Sequence, residues 1–345
     1  MASFDENGRR YTPTKKAYKN EDFINSSQAR NIRIMCEYEE TLLRLRENKI
    51  KASVLFFGSA RAKDREGWEK AVAKAEEEVA AATDDESREA AEKNLAKWKK
   101  REWMGESAEK VAKLAELVTA WAVSPRCVLG REHSFQGVTR YHQLRRSSMD
   151  TEPQIDNESG PGRKQHLVVC TGGGPGFMEA ANKGASRVPG ARNMGMGITL
   201  PFEQGLNEYV TEELAFEFHY FFTRKFWMLY HCQALVVAPG GFGTLDELFE
   251  VLTLKQTGKV QSTLPVILFG KDYWQKVVNW QALVEFGTIA QEDVDSLFFT
   301  DDPREVKGLG VLLLWFSSYS NPFRSPPTPP YVRALSFRSD SIITG

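Results

Sequence analysis

The chain is defined first by what it lacks. Across 345 residues there is no apolar run of the roughly 18 residues that a bilayer-spanning helix needs, so no membrane segment is expected. It has no excess of positive charge either: 45 Lys and Arg stand against 46 Asp and Glu, for a net charge of −1. A polymeric nucleic acid is therefore a poor candidate partner, because neutralising its phosphates takes clustered basic residues. Cysteine is scarce, and Cys36, Cys127, Cys170 and Cys232 show no C-x-x-C spacing. They read as reduced core thiols in a reducing compartment. The N-terminus has no apolar signal core, which makes the cytoplasm the expected location. The five histidines form neither H-x-x-x-H nor H-E-x-x-H, so no metal site is expected. A G-x-S-x-G elbow is missing too, and with it support for serine hydrolase chemistry.

What is present is an alternating pattern. Strand-like apolar runs occur at Ser53–Phe57, Leu167–Thr171, Gly197–Leu200, Ala234–Ala238 and Pro265–Phe269, with helix-length periodic stretches between most of them. Runs apolar throughout, such as Val54-Leu55-Phe56-Phe57, suit strands covered on both faces. The expected fold class is α/β, a doubly wound parallel sheet flanked by helices. A helical preface is expected over about 21–49, after a flexible N-terminus at 1–20. Residues 65–102, rich in Ala, Glu, Lys and Leu, read as an inserted charged helical hairpin, broken at Thr83-Asp84-Asp85 where Asp and Thr suit a helix cap. A core-facing helix should follow it. The 124–165 stretch carries turn signals without periodicity and reads as a loop-rich insertion, and 308–345 as an irregular Pro-rich tail. Residues 21–307 are thus read as one domain.

Two glycine clusters follow two of the most apolar strands: Gly172-Gly173-Gly174-Pro175-Gly176 and Gly240-Gly241-Phe242-Gly243-Thr244. Each runs into a helical pattern. Glycine at the carboxyl end of a parallel strand lets the backbone approach an anion, and the following helix N-terminus favours phosphate. One such cluster alone is equally the mark of a tight strand–helix turn. A pair aimed at one crevice points to a phosphate-bearing ligand. Neither fits G-x-G-x-x-G, and no G-K-[ST] follows, so the dinucleotide fingerprint and the P-loop are both excluded.

The segment PGGFGTLDE at Pro239–Glu247, with Arg224-Lys225 and Met228 before it, resembles the P-G-G-x-G-T-x-x-E and R-K-x-x-M signature of the Lonely Guy (LOG) family, which is often labelled "possible lysine decarboxylase". The resemblance extends to Phe57–Arg61, to GGGPGFMEAANKGA at Gly172–Ala185 and to ITLPFEQGLN at Ile198–Asn207, covering about 20–306. It implies a Rossmann-like fold and a phosphoribohydrolase that releases a free base and ribose 5-phosphate from a nucleoside 5′-monophosphate, such as a cytokinin riboside 5′-monophosphate or AMP. It also implies Arg224 and Glu247 as the catalytic pair, Gly241, Gly243 and Thr244 as the phosphate loop, no cofactor, and a homodimer or a larger assembly built from it.

Chemistry gives these residues work to do. Breaking a ribosyl C–N bond builds positive charge on the sugar, which a carboxylate near C1′ would stabilise while activating water. Glu247 stands about one helical turn after Gly243-Thr244, within reach of the ribose of a phosphate held there. Arg224 cannot act as a base, but it can orient Glu247, hold phosphate or ribose oxygens, or stabilise the departing base. On sequence alone Glu247 is equally an acid in a first helical turn, and Arg224-Lys225 an ordinary charged face. Lys225 matches a basic position of less certain role. Ser59 and Arg61 either touch the ligand or end a strand, Glu179 either contacts ribose or opens a helix, and Phe221 and Phe222 line a base pocket or the core.

Two rival functions remain at this level. A pyridoxal-phosphate lysine decarboxylase would need a Schiff-base lysine motif, and the chain offers none. A non-catalytic carrier of a phosphorylated ligand, such as molybdenum cofactor, would use the glycine loops but would have no need of Arg224 and Glu247 together.

Overall fold

A computed structural model of the chain describes residues 3–4, 6–7, 9–11, 14–125, 127, 165–200, 205–260 and 264–305. Most of the 124–165 stretch and all of the 308–345 tail lie outside the described residues. After a short helix at Glu21–Ile24, helix α1 (Arg30–Glu47) precedes strand β1 (Ala52–Phe57). Helices α2 (Arg65–Ala81), α3 (Asp85–Lys99) and α4 (Trp103–Val123) follow. The alternating part then runs β2 (Leu167–Thr171), α5 (Phe177–Ser186), β3 (Asn193–Ile198) and β4 (Ala215–Phe218). It continues through α6 (Phe221–Tyr230), β5 (Cys232–Val237), α7 (Phe242–Gln256) and β6 (Val266–Phe269). Three short helices, α8 (Lys271–Val277), α9 (Trp280–Glu285) and α10 (Gln291–Asp295), lead to β7 (Leu297–Thr300).

Apart from a short antiparallel pairing of Ser3–Phe4 with Arg10–Tyr11, these seven strands form one sheet in the order β4-β3-β2-β1-β5-β6-β7, and every neighbouring pair in it is parallel. This is the doubly wound α/β architecture. Its two faces are legible along β1: Val54 and Phe56 enter one apolar cluster with α4 and α5, while Leu55 and Phe57 enter a second with α6 and α7. Period-2 alternation puts successive side chains on opposite faces, so a strand apolar at every position has to be covered twice. The α4–α5 contact is close enough that a Cβ on Gly184 would stand 1.9 Å from Ala112 O. Glycine is required there.

The sheet departs from the sequence reading at its margins. β3 begins at Asn193 rather than near Gly197; glycines interrupt its apolar pattern, since a Cβ on Gly195 would stand 2.8 Å from Val210 Cγ2 and one on Gly197 2.5 Å from Leu206 Cδ2. Edge strands β4 and β7 were not anticipated. Each is four residues long and buries only part of its length, so neither produces a continuous apolar run. Cys36 is exposed on α1, whereas Cys127, Cys170 and Cys232 are buried.

The charged stretch after β1 folds as α2 and α3 packed together. Asp64 caps α2 by accepting from Gly67 N at 3.0 Å, and Asp84 caps α3 by accepting from Ser87 N at 2.8 Å. Trp68 Nε1 donates to Trp98 O at 2.8 Å and ties the pair at its base. No residue of α3 is buried. Among the described residues, no helix is long and apolar enough to cross a membrane.

Candidate functional site

The order of connection reverses at β1: the chain adds β2, β3 and β4 on one side, then crosses to place β5 on the other. In open α/β sheets this reversal parts the loops at the strands' carboxyl ends and leaves a crevice. Both glycine loops meet the loop after β1 there. Ser59 N donates to Pro239 O at 2.9 Å, ahead of the second glycine loop, and Ser59 O accepts from Phe177 N at 3.2 Å, behind the first. Ser59 is thus tied through its main chain to both loops, and its Oγ accepts from Arg61 N at 3.2 Å. The Arg61 side chain is exposed beside it.

In the first loop the glycines are enforced by packing. Gly173 and Gly176 have φ of +71° and +77°, the left-handed region that favours glycine. A Cβ on Gly176 would stand 2.2 Å from Ser59 O, and one on Gly173 2.3 Å from Leu206 Cδ2. A Cβ on Gly172 would lie 2.5 Å from Arg224 Nη2. Gly174 is half-buried, as is Glu179 in the first turn of α5.

The second loop differs. Gly240 is crowded, since a Cβ would meet Thr244 Oγ1 at 2.1 Å, and its carbonyl accepts from Tyr273 Oη at 2.6 Å. Gly241 and Gly243, by contrast, are exposed, and a Cβ on either would meet nothing within 4 Å. Gly241 is the N-cap of α7 without any side-chain cap, so the first-turn N–H groups of this helix stand open at the crevice. Thr244 is buried behind them.

Arg224 and Lys225 come from α6. Arg224 is 8% exposed and donates from Nε to Met196 O of β3 at 2.8 Å, which holds its guanidinium against Gly172. Lys225 Nζ lies 2.7 Å from Asp246 Oδ2 and 2.8 Å from Glu250 Oε2. It clamps α6 to α7 on either side of Glu247. Burial opposes the charge of Lys225, but its two carboxylate partners prevail and raise its pKa above the ordinary lysine value.

Glu247 is 5% exposed, and its Oε2 is buried without a hydrogen-bond partner among the described residues. Burial pushes its carboxyl up to about 7, against the opposing pull of Lys225 and Arg224. A carboxyl that titrates near neutrality, with one oxygen unengaged and a guanidinium nearby, is equipped for proton transfer or for stabilising a cation.

Around these groups lies an aromatic rim. Phe221 and Phe222 are 54% and 58% exposed, so they belong to the surface and not to the core. Phe242 is 93% exposed and borders a groove of about 500 Å3 with Lys225, Leu245, Asp246, Phe249 and Glu250. The structure therefore brings Arg224, Glu247, Lys225 and the two glycine loops together at one edge of the sheet. Tyr273, Asn182 and Asn207, which hold those loops, are not visible as site residues in the sequence. A tyrosine or asparagine carries no positional signature until its partners are known.

Residues 178–308 match the family model described as "Possible lysine decarboxylase". No curated protein matches the chain. Among solved structures, the chain is similar to the molybdenum cofactor binding protein from the phototrophic bacterium Rippkaea orientalis, at 13% identity over 76% of this chain and 96% of that one, with a TM-score of 0.36.

Proposed function

We propose that this chain, whose residues 178–308 carry the domain of the possible lysine decarboxylase family that includes the Lonely Guy proteins, is a phosphoribohydrolase of nucleoside 5′-monophosphates acting in the cytoplasm. The observation that carries this reading is Glu247: a buried carboxyl near neutral pKa, with an unengaged oxygen, one turn beyond an uncapped helix start. The open N–H groups of Gly241, Phe242, Gly243 and Thr244 hold the 5′-phosphate. Glu247, deprotonated, faces C1′ as positive charge develops on the ribose. The C1′–N bond breaks with its electron pair leaving on the base. Water adds to C1′ as its proton passes to Glu247 and from there to the departing base, which regenerates the carboxylate and gives ribose 5-phosphate and the free base. Arg224, fixed by Met196 O, orients the carboxylate and the sugar oxygens.

The substrate class suggested by the family is a purine ribotide, a cytokinin riboside 5′-monophosphate or AMP. We also take the exposed aromatic rim of Phe221, Phe222, Phe226 and Phe242 as the seat of a second copy of the chain, consistent with a homodimer. The decisive experiment incubates the protein with a panel of nucleoside monophosphates and follows free base and ribose 5-phosphate. Glu247→Gln is expected to lower turnover by about 100-fold or more while retaining nucleotide binding. Equal rates in the two proteins would remove Glu247 from the mechanism. A tightly held phosphorylated ligand with no base release in either protein would establish the carrier instead.

A further inference from the structure

Behind the first glycine loop lies a buried polar chain whose direction is fixed at both ends by main-chain groups. Tyr209 O can only accept, so Asn193 presents Nδ2 to it at 2.9 Å and Oδ1 to Asn182 Nδ2 at 2.8 Å. That leaves Asn182 Oδ1 as an acceptor, and it receives Thr171 Oγ1 at 2.7 Å and Asn207 Nδ2 at 2.9 Å. At the other end Gly173 N can only donate, and it gives its hydrogen to Thr171 Oγ1 at 2.8 Å. Thr171 and Asn182 are fully buried and Asn193 is 2% exposed, so none of these groups has water as an alternative.

This chain ends on the carbonyls of the loop. Gly173 O accepts from Asn207 N at 2.8 Å and from Asn207 Nδ2 at 3.0 Å, with Gly174 O 3.4 Å from the same Nδ2. In a trans peptide the carbonyl and the following N–H point in opposite directions. Holding Gly173 O inward therefore turns Gly174 N–H outward, and that N–H has no acceptor among the described residues. Gly173 N is already engaged and Pro175 has no N–H, so within Gly173–Pro175 only Gly174 can donate to a ligand. The loop rests against Arg224 at Gly172, the residue that the phosphoribohydrolase reading sets beside the sugar, while that reading gives the phosphate to the uncapped start of α7.

We propose that Asn207, locked by Asn182, is a positioning residue that aims Gly174 N–H at an oxygen of the substrate's ribose, leaving the phosphate to the second loop. The inference rests on the phosphoribohydrolase reading for the identity of the ligand, but the orientation of the loop does not. Two probes separate the contributions: ribose 5-phosphate, which engages both loops, and inorganic phosphate, which engages the second alone. Asn207→Asp keeps the shape and removes both donor hydrogens. It is expected to weaken ribose 5-phosphate about tenfold by calorimetry while phosphate stays within about twofold, and Asn207→Ala should do the same. Unchanged affinity for ribose 5-phosphate, or an equal loss for both probes, would overturn the proposal. If the wild type binds neither probe, the hydrolase reading fails, and amide exchange still decides the orientation. Gly174 N–H is expected to exchange fast in the ligand-free wild type; a protected amide there refutes the assigned geometry.

Discussion

The two glycine loops follow strands separated only by β1, and both open a helix, yet they use glycine for opposite reasons. In the first, Gly172, Gly173 and Gly176 are glycine because the protein itself occupies the space, with Leu206, Ser59 O and Arg224 standing where side chains would go. In the second, Gly241 and Gly243 face open space and neither has a positive φ. Nothing within the described protein requires them to be glycine. Their open surroundings are what the proposed phosphate-binding role requires. One loop is packed against the protein and the other stands open.

Alanine substitution breaks this comparison most directly. Gly176→Ala is expected to destabilise the protein by about 2–3 kcal/mol or more, seen as a fall in Tm, since it combines a left-handed φ with a clash against backbone. Gly241→Ala should leave Tm unchanged and weaken nucleotide or phosphate binding about tenfold. Similar Tm losses in both would show that the second loop is structural after all.

The pH dependence tests the acid one helical turn beyond the open loop. With Glu247 raised to about 7, activity that needs its carboxylate is expected to fall about tenfold per pH unit below 7. Stability runs the other way. Because the folded value lies above the ordinary glutamate value of 4.5, ionising Glu247 costs stability; the cost is absent below about 4.5, grows between 4.5 and 7 and is complete above 7. Glu247→Gln should therefore raise Tm at pH 8 but not at pH 4.5, and a variant less stable at pH 8 contradicts the assigned burial.

The smallest expected effect concerns the hold on the open loop. Tyr273 stacks on Trp103, with ring centroids 5.8 Å apart, and donates to Gly240 O at 2.6 Å. Tyr273→Phe keeps the stack and removes the hydrogen bond. A rise in KM of about threefold with kcat retained is expected, the loss of one modest hydrogen bond behind the second glycine loop. A change in kcat alone would tie Tyr273 to the chemistry instead.

Much of this was legible from residue order. The central strands announced themselves because burial on both faces demands unbroken apolar runs, as at Val54–Phe57 and Leu235–Ala238. The edge strand Ala215–Phe218 gave no such signal, since Glu217 faces solvent between buried Phe216 and Phe218. Gly172 and Gly241 look alike in sequence, and only the position of Arg224 tells them apart. Asn182 and Asn207 are twenty-five residues apart in the chain and meet at 2.9 Å.

By itself the sequence determined the α/β class, the two strand–glycine–helix units and the family resemblance, all of which depend on local pattern and spacing. Tertiary structure decided which glycines are walls and which are openings, placed Arg224 against Gly172, and buried Glu247 deeply enough to bring its carboxyl near neutrality. Those properties depend on what lies across the crevice. Clash and desolvation arise between segments distant in sequence, and no periodicity along a single segment encodes them.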